Sequence, residues 1–124
     1  MEKPVPLRIL IGDDDPIVLE LLERFLKEKG YQVACAKDGE DVLKKFEDYK
    51  PHLVLLDLRM PKYDGMEVLR LLKEKEPDIG VIIVSGNVDR EVAVKTLEMG
   101  AFDYIPKPID FAYLESSLRT WNWR

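Results

Sequence analysis

Five short apolar runs, Leu7–Ile11, Tyr31–Ala36, Leu53–Leu56, Val81–Val84 and Phe102–Ile105, alternate with five longer amphipathic stretches. Strand then helix, five times over, predicts a parallel sheet. Parallel neighbours need a crossover long enough to hold a helix, and right-handed crossovers cover both faces. Several runs are apolar at nearly every position, as strands buried on both faces require. In the first helix Val18, Leu21, Leu22, Phe25 and Leu26 follow the spacing of a buried stripe; Pro16 suits its first turn, and Gly30 a left-handed cap. Asp38 is expected to cap the second helix, with Val42, Leu43 and Phe46 inward. The third follows the Asp64–Gly65 turn and turns Met66, Leu69 and Leu72 inward. The fourth, from about Val88 to Met99, has a narrow face of Val92, Ala93, Thr96 and Leu97 and a low intrinsic propensity. The fifth opens near Asp110 and uses Phe111, Leu114, Leu118 and Trp121. Residues 1–124 thus read as one domain, with 1–6 a tail and 119–124 the end of the last helix or the start of a linker.

Composition narrows the function. At 46% hydrophobic and 35% charged, the chain is too apolar for disorder and too broken by charge for a membrane protein. No apolar run approaches the roughly 18 residues a span needs. The first residues lack the apolar core of a signal peptide. A single cysteine, Cys35, excludes an internal disulfide and is expected to be a small buried hydrophobe; a cytoplasmic location follows as the expectation. A net charge of −5 argues against a nucleic-acid-binding surface. The one histidine, His52, rules out a zinc cluster of several imidazoles, and next to Pro51 it reads as a surface residue rather than a catalyst.

The chemistry collects at the strand ends. Asp13-Asp14-Asp15 follows the first run and Asp57 the third. Strands of a parallel sheet share one carboxyl edge, where such sheets keep their sites. Like charges that close resist joint ionisation unless a cation sits among them. The fourth run ends at Ser85-Gly86-Asn87 and the fifth in Pro106-Lys107-Pro108, adding a hydroxyl and an ammonium. These groups suit phosphoryl transfer to an aspartate. Carboxylates hold Mg²⁺ (or Mn²⁺), Asp57 attacks phosphorus, and Lys107 and Ser85 contact phosphoryl oxygens.

Ile9-Leu10-Ile11-Gly12-Asp13-Asp14-Asp15-Pro16, Leu55-Leu56-Asp57-Leu58-Arg59-Met60-Pro61 with Asp64-Gly65, Val84-Ser85-Gly86, and Gly100 through Pro108 stand in order on these strand ends. In these motifs the chain resembles a response-regulator receiver domain of two-component signalling, over essentially its whole length. Gly100–Pro108 is most similar to receivers of the NtrC-like group. The resemblance implies a flavodoxin-like (βα)5 three-layer sandwich of sheet order 2-1-3-4-5, with the site at the switch point between strands one and three. It makes Asp57 the phosphoacceptor, with Asp13, Asp14, Asp57 and the Arg59 backbone carbonyl as metal ligands. Ser85 and Lys107 become phosphoryl partners, Ser85 and Tyr104 the switch pair, Arg59 and Asn87 lifetime-tuning positions, and Lys107–Pro108 a cis bond. The implied partners are a sensor histidine kinase or phosphotransfer protein, with a homodimer through the fourth-helix, fifth-strand and fifth-helix face as an option. Neither direct nucleic-acid binding nor membrane contact is expected, and no enzymatic activity beyond the domain's own phosphorylation and dephosphorylation.

Two departures stand out. Gly12 occupies a position where valine is more usual and is expected to loosen the end of the first strand. Gly86 replaces a more frequent alanine. The Arg59 side chain is expected to hinder the hydrolytic water. Met60 and Met66 read as core filler, and Asp15 as a helix cap beside the metal pair. For Trp121 and Trp123 two readings stay open: packing of the last turn, or a partner-facing patch. Other classes fit less well. An aspartate-nucleophile phosphatase needs a second aspartate where Arg59 stands. A flavodoxin-like cofactor binder needs a phosphate-cradling loop where this chain is acidic. A degenerate, phosphorylation-independent interaction module would not need the full set of site residues.

Overall fold

The computed structural model describes residues 6–86 and 89–122, so Asn87 and Trp123 lie outside the described residues. The described elements, in chain order, are β1 (Arg8–Gly12), α1 (Pro16–Glu28), β2 (Gln32–Ala36), α2 (Gly39–Tyr49), β3 (Leu53–Leu56), α3 (Gly65–Lys75), β4 (Gly80–Ser85), α4 (Arg90–Glu98), β5 (Asp103–Pro106) and α5 (Phe111–Asn122). All neighbours pair in parallel, in the order β2-β1-β3-β4-β5. This is the doubly wound sandwich the alternation predicts.

Successive strand residues face opposite sides, and two cores result. Leu10, Val54, Leu56, Val81 and Ile83 pack with Val42, Phe46, Val68, Leu69 and Leu72 of α2 and α3. Ile9, Ile11, Leu53, Leu55, Ile82 and Val84 pack with Leu22, Leu26, Leu114, Leu118 and Trp121 of α1 and α5. The helices run 9 to 13 residues. Helices of that length are marginal alone in water, so they owe their order to these faces. Local signals then set the ends. The carboxylates of Asp15, Asp38, Asp64 and Asp89 each accept a hydrogen bond from a backbone N–H of the first helical turn. Past α1 the chain reverses through Gly30 at φ 94°, as its cap position predicts.

The helix faces differ in detail from the periodic reading. Leu21 is 50% exposed and Leu97 45%, although both were expected inward. A 100° step from Leu22 carries Leu21 off the sheet, since Leu22 and Leu26 already fill the narrow stripe that α1 presents. On α4 only Thr96 is buried, its hydroxyl donating to the Ala93 carbonyl at 2.8 Å. Leu43, Met66 and Phe111 are half-buried at the margins, as is Cys35 on the edge strand β2. His52 is half-buried rather than free at the surface: its backbone N–H donates to Arg8 O at 2.9 Å and its Nδ1 accepts from the Arg8 N–H at 2.9 Å. Trp121 is 2% exposed, with its ring against Gly80, so packing accounts for it.

Gly12 does not loosen β1. It stays in register with Ala36 and Leu56 to the end of the strand. The space a Cβ would take is occupied by Val42, whose Cγ2 would lie 2.5 Å from it.

Gly65 is tighter still. A Cβ there would stand 2.4 Å from Leu58 Cα and 2.8 Å from the Asp57 carbonyl oxygen, both backbone atoms. Overpacking costs about 1–3 kcal/mol where side chains can yield, and the upper end or beyond applies where the obstacle is main chain. Gly65→Ala is expected to lose about 3 kcal/mol in urea unfolding, and a loss below about 1 kcal/mol would show that α3 can retreat cheaply.

Candidate functional site

Because every strand points the same way, the chain leaves β1, β3, β4 and β5 at one edge. The Gly12–Leu56 pairing sets Asp13 beside Asp57, and the Asp57 N–H donates to Gly12 O at 2.9 Å. The Asp13 N–H donates to Ala36 O at 3.1 Å, which fixes its Cα. Asp13 is 2% exposed and Asp57 5%, while Asp14 is exposed. One oxygen from each of these three carboxylates fits within 4.8 Å of the others.

The ammonium arrives from the fifth strand. The Lys107 N–H donates to Ser85 O at 3.0 Å, and the Lys107–Pro108 bond is cis. Lys107 Nζ donates to Asp13 Oδ2 at 2.7 Å and to Asp57 Oδ2 at 3.1 Å. The second oxygens are used locally. Asp13 Oδ1 accepts from the Asp15 N–H at 2.9 Å, and Asp57 Oδ1 from the Arg59 N–H at 3.1 Å. Ser85, fully buried at the end of β4, pairs in register with Pro106 beside Lys107.

The charges do not balance: three carboxylates face one ammonium. Burial pushes the Asp13 carboxyl above the usual aspartate range, and the Asp57 charge adds to it; together they outweigh the hydrogen bonds from Lys107 and Asp15. Burial also works against the Lys107 ammonium, but the hydrogen bonds to Asp13 and Asp57 prevail and hold it above the ordinary lysine value. The Lys107 shift reflects its two acidic partners, and the Asp13 shift chiefly its burial. The pocket's donors are hard oxygens, clustered and partly water-excluded, and so fit Mg²⁺ or Mn²⁺.

The structure thus brings together Asp13, Asp14, Asp57 and Lys107, with Ser85 on the adjacent strand end. Arg59 is exposed just beyond Asp57, and Met60, expected as core filler, is half-buried against the α2–α3 core. Asp15 caps α1 through the Ile17 N–H at 2.9 Å, as expected. Tyr104 is half-buried against the α2–α3 core and opposite Ile83, two residues before Ser85 in the pairing.

Three contacts, at two places, were not legible beforehand. The Gly39 N–H donates to Pro61 O at 3.2 Å and ties α2 to the loop after β3. Asp103 Oδ2 accepts from Ser117 Oγ at 2.7 Å and Tyr113 Oη at 2.9 Å, and that second bond raises the Tyr113 phenol above its usual value. An acidic residue opening an otherwise apolar strand was the available signal for the latter.

A family model described as the response regulator receiver domain matches residues 9–119. Response regulator RR06 of Streptococcus pneumoniae serotype 2 is 38% identical over 113 residues, 91% of this chain and 52% of that protein. The DNA-binding transcriptional regulator NtrC of Proteus hauseri is 37% identical over 102 residues, 82% of this chain and 22% of that protein. The chain therefore spans about half the length of the first relative and about a fifth of the second. Among solved structures, the CheX-CheY-BeF3-Mg+2 complex from Borrelia burgdorferi superposes with a TM-score of 0.89 at 28% identity, covering 94% of this chain and 89% of that one.

Proposed function

The chain belongs to the response regulator receiver domain family, and from that premise we propose that it is a phosphorylation-driven signalling switch with Asp57 as acceptor. The observation that carries this reading is the single lysine bridging Asp13 and Asp57 at 2.7 and 3.1 Å. A sensor histidine kinase or phosphotransfer protein is the donor. An Asp57 carboxylate oxygen attacks phosphorus, an O–P bond forms, and the donor's P–N bond breaks with its electron pair passing to the imidazole nitrogen. Asp13, Asp14, Asp57 and the Arg59 carbonyl hold the cation, which when bound offsets the charge of the incoming phosphoryl group. Lys107 releases the Asp57 oxygen and pairs with a phosphoryl oxygen, and the Ser85 hydroxyl donates to another.

The output is a change of surface. Ser85 moves toward the phosphoryl group, Tyr104 follows, and α4 shifts, altering affinity on the α4–β5–α5 face for a partner or second copy. Of the helices, α4 is the one with a single buried side chain, the low-stability end from which moving parts are drawn. The proposed role requires no substrate beyond the domain's own phosphorylation and dephosphorylation, and neither nucleic-acid binding nor membrane contact is part of it. No helix among the described residues is long and apolar enough to cross a membrane. We place it in the cytoplasm.

Intact-mass spectrometry after acetyl phosphate and Mg²⁺ tests the reading. One phosphoryl adduct is expected, absent when EDTA replaces the metal. A folded, Mg²⁺-loaded protein with no adduct would favour a phosphorylation-independent interaction module. Arg59 and Asn87 are assigned to the lifetime of the adduct. Arg59→Ala is expected to speed its loss several-fold, and an unchanged decay would remove the shielding role.

A further inference from the structure

Gly12 is the node of the acidic pocket. It is bonded to Asp13, its carbonyl accepts from the Asp57 N–H at 2.9 Å, and its α-carbon faces Met60, the residue after Arg59, whose Sδ would lie 3.5 Å from a Cβ there. Onto this node α2 places Val42, fully buried, with Cγ2 2.5 Å from the same Cβ position. A valine in a helix is confined almost to one χ1 rotamer, so Val42 cannot rotate away from a neighbour that grows. The same helix is joined to the loop after β3 by the Gly39 N–H to Pro61 O bond at 3.2 Å. Any outward step of α2 therefore pulls on Pro61 and Met60, which flank the Arg59 carbonyl on its C-terminal side.

We propose that Gly12 and Val42 form a size-matched pair that positions Asp13 and the Arg59 carbonyl for the cation, so that the volume at position 12 sets Mg²⁺ affinity. This rests on the metal-dependent reading of the pocket. Neither residue touches the cation; both act through the backbone that carries its ligands, as outer partners of metal ligands do, typically at a 10–100-fold effect on affinity.

The methyl group added at 12 takes up part of the space left by the two methyl groups removed at 42, Cγ2 among them, which separates position from stability. Mg²⁺ dissociation constants are measured by isothermal titration calorimetry on wild type, Gly12→Ala, Val42→Ala and the double variant, with circular dichroism as the check of fold. Gly12→Ala is expected to weaken Mg²⁺ binding about tenfold. Val42→Ala, which loosens the pair rather than crowding it, is expected to lower the melting temperature and to weaken Mg²⁺ binding by less than Gly12→Ala does. The double variant is expected to recover wild-type affinity, whether or not Gly12→Ala folds alone. Wild-type affinity in a folded Gly12→Ala, or weak binding that persists in the double variant, overturns the proposal. A wild type that binds no Mg²⁺ removes the metal-dependent reading itself, and the pair's role with it.

Discussion

Asp57→Asn is expected to take up no phosphoryl group from acetyl phosphate, while melting no lower than wild type in EDTA. The two halves have one cause. Asparagine keeps the shape of the side chain and an oxygen for the Arg59 N–H at 3.1 Å, so the loop after β3 keeps its anchor. It lacks the anionic oxygen that must attack phosphorus. It also removes one of three carboxylates packed within 4.8 Å, and with it a repulsion that adds to the burial holding the Asp13 carboxyl above its usual range. Lys107 keeps its shorter contact, 2.7 Å to Asp13. Intact mass and thermal melting on one preparation decide. An adduct that survives the substitution would move the acceptor elsewhere, and a marked loss of melting temperature would show the carboxylate to be a structural group.

Lys107→Ala is expected to slow phosphoryl uptake by about 10²- to 10³-fold, the effect of deleting one preorganised donor to a developing anion. Its pKa shift fixes the pH range over which that donor works. A lysine held above its ordinary value contributes fully below that value and is lost only as pH rises through the folded one, so at neutral pH the ammonium is entirely present. The resting protein should respond as well. Without the ammonium, Asp13 and Asp57 face each other uncompensated, and the EDTA-treated variant should melt lower. Mg²⁺ should restore most of that loss. An uptake rate within threefold of wild type, far short of the donor effect, would reduce Lys107 to a structural counter-ion.

The parts of this molecule legible beforehand are those decided by one-dimensional signals. Pro16, Asp38 and the Asp64–Gly65 turn mark helix starts because capping is a local transaction between a side chain and the next turn's N–H groups. Asp13, Asp57, Ser85 and Lys107 were identifiable as a set because parallel strands deliver their ends to one edge whatever the lengths of the helices between. What escaped depends on how closely two elements approach. Leu21 satisfies the apolar spacing as well as Leu22 does; only the width of the surface α1 covers distinguishes them. Gly12 read as a weakness, since a sequence shows the missing side chain but not Val42 filling its place. Gly65 read as a turn residue, when what it provides is room for backbone against backbone. His52 looked idle because its partner, the Arg8 N–H, is 44 positions away. Thr96 read as one member of a narrow inward face, and the hydrogen bond from its hydroxyl to the Ala93 carbonyl was not legible there.

The polarity of the sheet has a practical consequence at its other pole. β1 begins there at Arg8, against His52, and α5 finishes there with Trp121 laid over Gly80, the first residue of β4. Both ends of the described chain emerge from the floor of the molecule, while the acidic mouth opens from its roof. A tether, fluorophore or surface anchor attached at either end would leave the mouth clear for an incoming donor. The indole beside the C-terminal attachment point would report strain in the tether rather than events at Asp57.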